Sequence, residues 1–290
     1  MTALLTRAAP PEIVVADGLW QRFQRRRAAR IGLALAVLLA VIALVGPWLL
    51  PDPDLPDYTR QLAAPGPAHW LGTDQSGRDL LSRAVAGAST SLGAAVLVMA
   101  LAAGVGLVLG TLAGVLGGIV DAVVTRLVDV LLGLPALVIT LALVGVLGPG
   151  FANLVLAIAL TMWAQPARIA RSIARGAADR PDVVAARMAG IPPVRAALAH
   201  VLPDAGLHVL VVATLGLADA VVSLGALSFL GMGAQPPTAE WGSMLATSRD
   251  TFAYAPWQLV GPAAGLVLAV AAASLIGDAL RDAADPEHAS

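Results

Sequence analysis

The chain has 290 residues, 58% of them hydrophobic and only 13% charged, with a mean hydropathy of +0.81. A soluble domain of that length needs far more charge to keep its surface wetted, so composition speaks against a water-soluble protein. The net charge is −1, all 18 basic residues are arginine, and cysteine is absent. This leaves no broad basic surface for nucleic acid and rules out disulfides, thiolate metal sites and cysteine nucleophiles.

Residues 1–30 form an N-terminal segment ending in the basic cluster Arg22, Arg25, Arg26, Arg27 and Arg30, and residues 31–50 carry no charge. A bilayer core of roughly 30 Å takes about 20 apolar residues in helix, so 31–50 predicts a first span. A cleaved signal peptide would show a shorter apolar run and a small-residue cleavage site. Here the run ends in Pro47-Trp48-Leu49-Leu50-Pro51-Asp52, which reads as a retained span with Trp48 near the interface. Residues 51–83, rich in proline and aspartate, predict a sizeable extracytoplasmic loop with an interfacial helix. The next charge-free run, 84–120, would be a helix about 55 Å long at 1.5 Å per residue. That is too long for one perpendicular crossing and too short for two, so a long second span with an interfacial start is expected, ending at Gly117-Gly118.

From Val130 to Ala167 charge is again absent, but Gly148-Pro149-Gly150 interrupts the run. Two helices joined by a tight turn are predicted, 122–147 and 151–166. Residues 168–204 are polar and carry Arg168, Arg171, Arg175, Arg180, Arg187 and Arg195. A fifth span is expected over 205–230 and a sixth over 256–277, joined by a loop rich in glycine, proline and aromatic residues. Residues 84–280 thus make up the core of the protein and 281–290 a tail. The fold class that follows is all-α, a polytopic membrane protein with about six transmembrane helices.

Six spans put both termini on one side. Segments 1–30, 168–204 and the tail hold 13 arginines, and Arg126 makes 14; loops 51–83 and 231–255 hold only Arg60, Arg78, Arg83 and Arg249. By the positive-inside rule both termini are expected in the cytoplasm of a cell inner or plasma membrane. Without lysine the chain cannot have a phosphate-binding loop of the usual form. His69, His200, His208 and His288 fall in unrelated segments, and no G-x-S-x-G elbow or zincin helix occurs. No enzyme activity, cofactor or metal site is expected.

Three segments carry a family resemblance. The first runs from His69-Trp70-Leu71-Gly72-Thr73-Asp74-Gln75-Ser76-Gly77-Arg78-Asp79 through Ser82-Arg83. Ser76 and Asp79, three apart, read as a helix N-cap pair for an interfacial helix. The second is Asp182-Val183-Val184-Ala185-Ala186-Arg187-Met188-Ala189-Gly190, followed through to His200-Val201-Leu202-Pro203. Pro181 can open a short helix there and Pro192-Pro193 must end it, while alanines and Gly190 keep the surface small enough for a partner's backbone to approach. The third joins Leu227-Ser228-Phe229-Leu230-Gly231-Met232-Gly233, Gln235-Pro236-Pro237 and Trp241-Gly242-Ser243-Met244-Leu245 to Gly277-Asp278-Ala279-Leu280-Arg281-Asp282.

Read in order, these resemble the GTDxxGRDxxSR stretch, the EAA loop and the LSFLGLG-x-QPP-x-x-x-WG-x-ML loop of permease subunits of binding-protein-dependent ABC importers. The closest likeness is to the six-span C-type subunit of the dipeptide/oligopeptide/nickel group, and it spans roughly residues 69–286. The resemblance implies a type I importer permease fold. It implies an ATPase-coupling loop at Asp182, Val184, Ala185, Ala186, Gly190, His200, Leu202 and Pro203, whose short helix docks into an ATPase. For Gln235, Pro236, Pro237 and Trp241 it implies contact with a binding protein or the pathway mouth, against the simpler reading of a rigid turn packing spans five and six together. Val184 stands where the family has glutamate, so the contacts of that acid are missing here; Leu224 and Ser89 replace a common glutamate and a common arginine.

Polar groups inside a span are costly and so become functional candidates. Asp219, midway along the fifth span, is expected to face a wet cavity or a partner, either contacting a cationic group of the substrate or pairing across a subunit interface. His208 should reach the interface, and Arg126 and Asp129, three apart, should pair on one helical face. Together these readings imply one permease of an ATP-driven importer. Its implied partners are a second homologous permease, two cytoplasmic ATPase subunits or domains, an extracytoplasmic substrate-binding protein and the lipid bilayer. Peptides are the expected substrate, with nickel or a nickel chelate as runner-up. The reading from a different class is an ATP-independent secondary transporter or channel, which would need internal repeats or a selectivity filter.

Overall fold

A computed structural model describes residues 23–177, 180–192, 195, 199 and 201–284. Its regular elements are helical: α1 (Arg27–Leu49), α2 (Leu80–Leu116), α3 (Gly118–Gly133), α4 (Ala136–Leu147), α5 (Phe151–Met162), α6 (Ala164–Gly176), α7 (Pro181–Met188), α8 (Leu202–Phe229), α9 (Trp241–Ser248) and α10 (Val260–Ala284). Among the described residues, four helices are long and apolar enough to cross a bilayer by themselves, and a fifth crossing arises if α3 and α4 count as one bent span. The remaining expected span corresponds to α5 and the start of α6.

The expected helix over 122–147 is broken. Residues preceding proline are pushed into extended backbone, and Leu134 before Pro135 has φ −113° and ψ 151°. Pro135 also lacks the N–H that would continue the ladder. The axes of α3 and α4 therefore diverge by 104°. A milder break follows at Trp163, where Pro166 cannot donate to the Met162 carbonyl, and the helix then resumes to Gly176. Arg168, Arg171 and Arg175 consequently lie on a helix that outruns its expected end at 166, rather than in a loop.

The central rod is α2, a single helix of 37 residues against which α1, α5, α6, α8 and α10 all pack. Its most extensive partner is α6, which runs parallel to it. The contact face is Gly106, Gly110 and Gly114, four residues apart, set against Trp163, Ala167 and Arg171 in the same spacing. A Cβ on these glycines would stand 2.7, 2.2 and 2.8 Å from the three carbonyl oxygens. In a bilayer, where apolar burial does little to drive helices together, such small-residue faces let backbones approach closely enough for dispersion to hold them. A core of Val98, Leu154, Ile158, Leu224 and Leu227 fills the space between α2, α5 and α8.

The helices define two ends. At one lie the α1–α2 loop, the first turn of α2, α9 and the start of α10; at the other, the arginine-rich end, the terminus of α2 meets α6, α7 and the start of α8. The N-cap of α2 is Asp79 itself, whose carboxylate accepts from the Ser82 backbone N–H at 2.8 Å. The expected Ser76–Asp79 pair is therefore displaced by three residues. The Ser76 N–H donates instead to Asp74, in a turn that Gly77 completes at φ +76°.

Candidate functional site

At the arginine-rich end, α7 is an eight-residue helix between α6 and α8. Pro181 occupies its first position, where a missing N–H costs nothing. Its end is set by Gly190 at φ +80°, a left-handed conformation that glycine adopts freely, before Pro192 is reached. Val183 is buried against Ala174, Ala177, Val201 and Val115, so one face of α7 is anchored to α2, α6 and α8. Arg180 clamps the entry by a 3.0 Å ion pair to Asp204 in the first turn of α8. The opposite face turns outward: Val184 and Ala185 are exposed, and Met188 is 85% exposed. Gly190 and Pro203 are exposed and Leu202 is half-buried; His200 and the side chains of Asp182 and Ala186 lie outside the described residues.

Beside α7, Asp121 in the first turn of α3 accepts from Arg171 with both carboxylate oxygens and from Arg175 at 2.7 Å. This ties the start of α3 to α6 and so fixes the base on which α7 sits. The expected Arg126–Asp129 pair does not form; both side chains are exposed. Asp121 was legible as a charge after Gly117-Gly118, but its partners lie 50 and 54 residues further on, beyond the reach of spacing arguments. Asp121→Asn leaves both guanidiniums a weaker acceptor and is expected to lower the thermal unfolding midpoint of the purified chain, followed by size-exclusion chromatography.

At the other end, the α1–α2 loop and the α8–α10 connection interlock. The Arg83 side chain, 6% exposed, pairs with Asp54 at 2.7 Å and donates to the Pro237 carbonyl, joining three segments. Asp74 holds Arg78 at 2.7 Å, and His69 lies 2.9 Å from Asp79. On the rim, the hydroxyl and N–H of Thr59 hold the Asp57 carboxyl below its ordinary range. Glu240 is the N-cap of α9 and is 1% exposed. Trp241 is 2% exposed: its indole N–H donates to the Ala84 carbonyl, and the ring occupies space left by Gly87 and Gly265.

The Gln-Pro-Pro and Trp-Gly elements thus divide. Gln235, Pro236 and Pro237 are exposed at a tip, while Trp241, for which partner contact and a packing turn were both open, is a packing anchor beneath it. Glu240 was missed; an acid one residue before a helix that opens Trp-Gly-Ser was its only signal.

Asp219 sits midway along α8 and is exposed, whereas Ala220, Val221 and Leu224 beside it are buried. Leu224 belongs to the packed core, so an acid at that position would face apolar side chains here. His208 is exposed and bonds the carbonyl of Asp204, one turn back.

Residues 106–288 match the family of binding-protein-dependent transport system inner membrane components. The chain belongs to that family. Residues 17–65 match the N-terminal transmembrane domain of oligopeptide transport permease C. The nickel transport system permease protein NikC of Escherichia coli is 40% identical over 269 residues, covering 91% of this chain and 97% of that protein. The di/tripeptide transport system permease protein DppC of Pseudomonas aeruginosa is 38% identical over 292 residues, 97% and 96% of the two chains. The glutathione transport system permease protein GsiD of Escherichia coli is 37% identical over 270 residues, 92% and 89%. The protein is therefore an ABC importer permease, a multi-pass component of the inner membrane.

Proposed function

We propose that this permease imports peptides delivered by an extracytoplasmic binding protein, completes its pathway with a second related permease, and is driven by two cytoplasmic ATPases, one of which docks on α7. In this reading both termini are cytoplasmic, the Gln235–Pro237 tip meets the binding protein, and Val184, Ala185 and Met188 meet the ATPase. The observation that carries it is α7 itself, anchored by Val183 and Arg180 and presenting a small, apolar outer face. Val184 in place of the family's glutamate leaves that docking to shape and apolar contact rather than to an ion pair. Because the chain has no cysteine, single-cysteine variants test it directly. Ala185→Cys and Met188→Cys should crosslink to the ATPase subunits in the purified assembly, and Gln235→Cys to the binding protein. Crosslinks from Met188→Cys to the binding protein would reverse the orientation and sink the reading.

Asp219 supports the peptide substrate. It is a single exposed carboxylate in the middle of a span, suited to one cationic group such as a peptide amino terminus. A second reading, nickel or a nickel chelate, is favoured by the 40% identity to the nickel permease. Uptake of a labelled dipeptide and of labelled nickel by the reconstituted importer separates the two. Asp219→Asn should lower dipeptide uptake about tenfold, the worth of one charge-assisted contact of roughly 1.4 kcal/mol. Wild-type uptake by that variant would remove Asp219 from the pathway.

A further inference from the structure

Between α3 and α6, at the arginine-rich end, lies a cavity of about 380 Å³ lined by Val124, Thr125, Val128, Asp129, Leu132, Gly133, Ala167, Arg168 and Arg171. Its size falls within the roughly 300–1,000 Å³ of ligand-binding pockets. Three observations bear on what it holds. First, its charges do not cancel: Arg168 and Arg171 line it against Asp129 alone, and Asp121, just outside the lining, is already shared between Arg171 and Arg175. Arg168 is exposed, lines the cavity and has no ion pair among the described residues, so a guanidinium with five donors is left for a ligand.

Second, one wall is apolar. Val124, Val128 and Leu132 line the same cavity, Leu132 being exposed, and a free inorganic anion would not use that hydrocarbon. Third, the cavity lies where apolar helix gives way to charge. Here α3 belongs to a pair that is apolar enough to span, and its far side exposes Val123, Leu127 and Val130 with Arg126 among them, the mixture of a helix close to the membrane surface. Three helices later, α6 carries Arg168, Arg171 and Arg175 along its length. That is the depth at which phospholipid headgroups sit, and basic pockets between spanning helices are suited to phosphate-bearing heads. A planar guanidinium pairs with phosphate through two parallel N–H donors.

We infer that this cavity is a phospholipid site, with the lipid phosphate held by Arg168 and Arg171 and the glycerol and upper acyl chain against Val124, Val128 and Leu132. Asp129 sits at the same cavity and repels a purely anionic head, so it sets the preference among heads rather than the binding itself. A lipid here braces α3 against α6 beside the Asp121 joint, and through α6 it reaches α7.

The test uses the purified importer assembly in detergent, with native mass spectrometry of retained lipid after stepwise delipidation. The probes are dioleoyl phosphatidylglycerol, dioleoylglycerol, which lacks the phosphate, and inorganic phosphate. Wild-type protein should retain one phosphatidylglycerol per copy of this chain, should fail to retain dioleoylglycerol, and should not release the phospholipid to millimolar inorganic phosphate. Arg168→Gln should weaken retention at least tenfold, Arg168→Lys by less, and Asp129→Asn should strengthen it. Arg168 is exposed, so these variants are expected to fold, and an unchanged unfolding temperature confirms it. Equal retention by wild type and Arg168→Gln overturns the inference. Equal retention of dioleoylglycerol reduces the cavity to an apolar groove, and displacement by inorganic phosphate reduces it to an anion site; either result also overturns it.

Discussion

Valine at Gly110 is expected to cost the chain its folded, monodisperse state in mild detergent, while alanine at Gly93 or Gly104 on the same helix leaves that state intact. A Cβ at Gly110 would stand 2.2 Å from the Ala167 carbonyl oxygen and 2.9 Å from the Ala167 Cα. Those are backbone atoms of a packed helix, so no side-chain rotation relieves the clash; α6 must move off α2. Ordinary overpacking costs about 1–3 kcal/mol, and a clash with backbone in the most extensive helix pair belongs at or above the top of that range. At Gly93 and Gly104 nothing lies within 4 Å of an added Cβ, and alanine gains helix propensity worth up to about 1 kcal/mol. Thermal unfolding followed by size-exclusion chromatography should show Gly110→Val at least about 6 °C below wild type, with the two alanine variants unchanged or higher. Comparable midpoints for all three would mean that the α2–α6 contact does not limit stability. Because α6 carries α7, any Gly110→Val protein that survives should also transport poorly.

Much of this architecture was readable because charge is expensive in hydrocarbon. Helices α1, α2, α8 and α10 fall on the long apolar runs, and α2 stops at Leu116, just before the expected end at Gly117-Gly118. What escaped was set by proline and by distance. Pro135 sits in an unbroken apolar stretch, where hydropathy sees no boundary, yet it turns one expected helix into two at 104°. The arginines of α6 made a helical segment look like a loop, since their aliphatic stems and the Asp121 carboxylate that receive them cannot be inferred from composition.

The short helix α7 was legible from Pro181 and its alanines, but its ending was attributed to Pro192-Pro193 rather than to Gly190. Its anchoring through Val183 needs the three-dimensional neighbours Ala174 and Val201. Trp241 shows the same limit from the other side. An aromatic in a glycine- and proline-rich loop reads equally as a contact residue or a wedge. Only Gly87 and Gly265, from two other helices, show that room was made for it inside.

Below that tryptophan, Glu240 is expected to be among the least replaceable residues of the α8–α10 connection. Its carboxylate accepts from the Gly242 N–H at 2.8 Å, the Ser243 N–H at 2.9 Å and the Ser91 hydroxyl at 3.2 Å. Ser91 in turn accepts from the Trp241 N–H at 3.1 Å, so α9 is joined to α2 through a buried chain of polar groups. An acid at a helix N-terminus is also favoured by the positive end of the helix dipole. Glu240→Ala removes the acceptor and strands buried donors, each costing about 1–3 kcal/mol when left unpaired, so a total loss of about 3 kcal/mol or more is expected. Glu240→Gln keeps one acceptor oxygen but turns an amide N–H₂ toward a backbone N–H, and should lose roughly half as much. Ser91→Ala removes one link of the same chain, so its effect and that of Glu240→Ala should sum to less when combined. Unfolding midpoints of the three variants and the double variant check that order. If Glu240→Gln matched wild type, the second carboxylate oxygen would not be what holds α9, and shape alone would have to seat Trp241. The consequence for function is specific. With α9 loosened, the Gln235–Pro237 tip loses its support while α7 at the far end keeps its own, so Glu240→Ala should reduce stimulation by the binding protein more than basal ATPase activity.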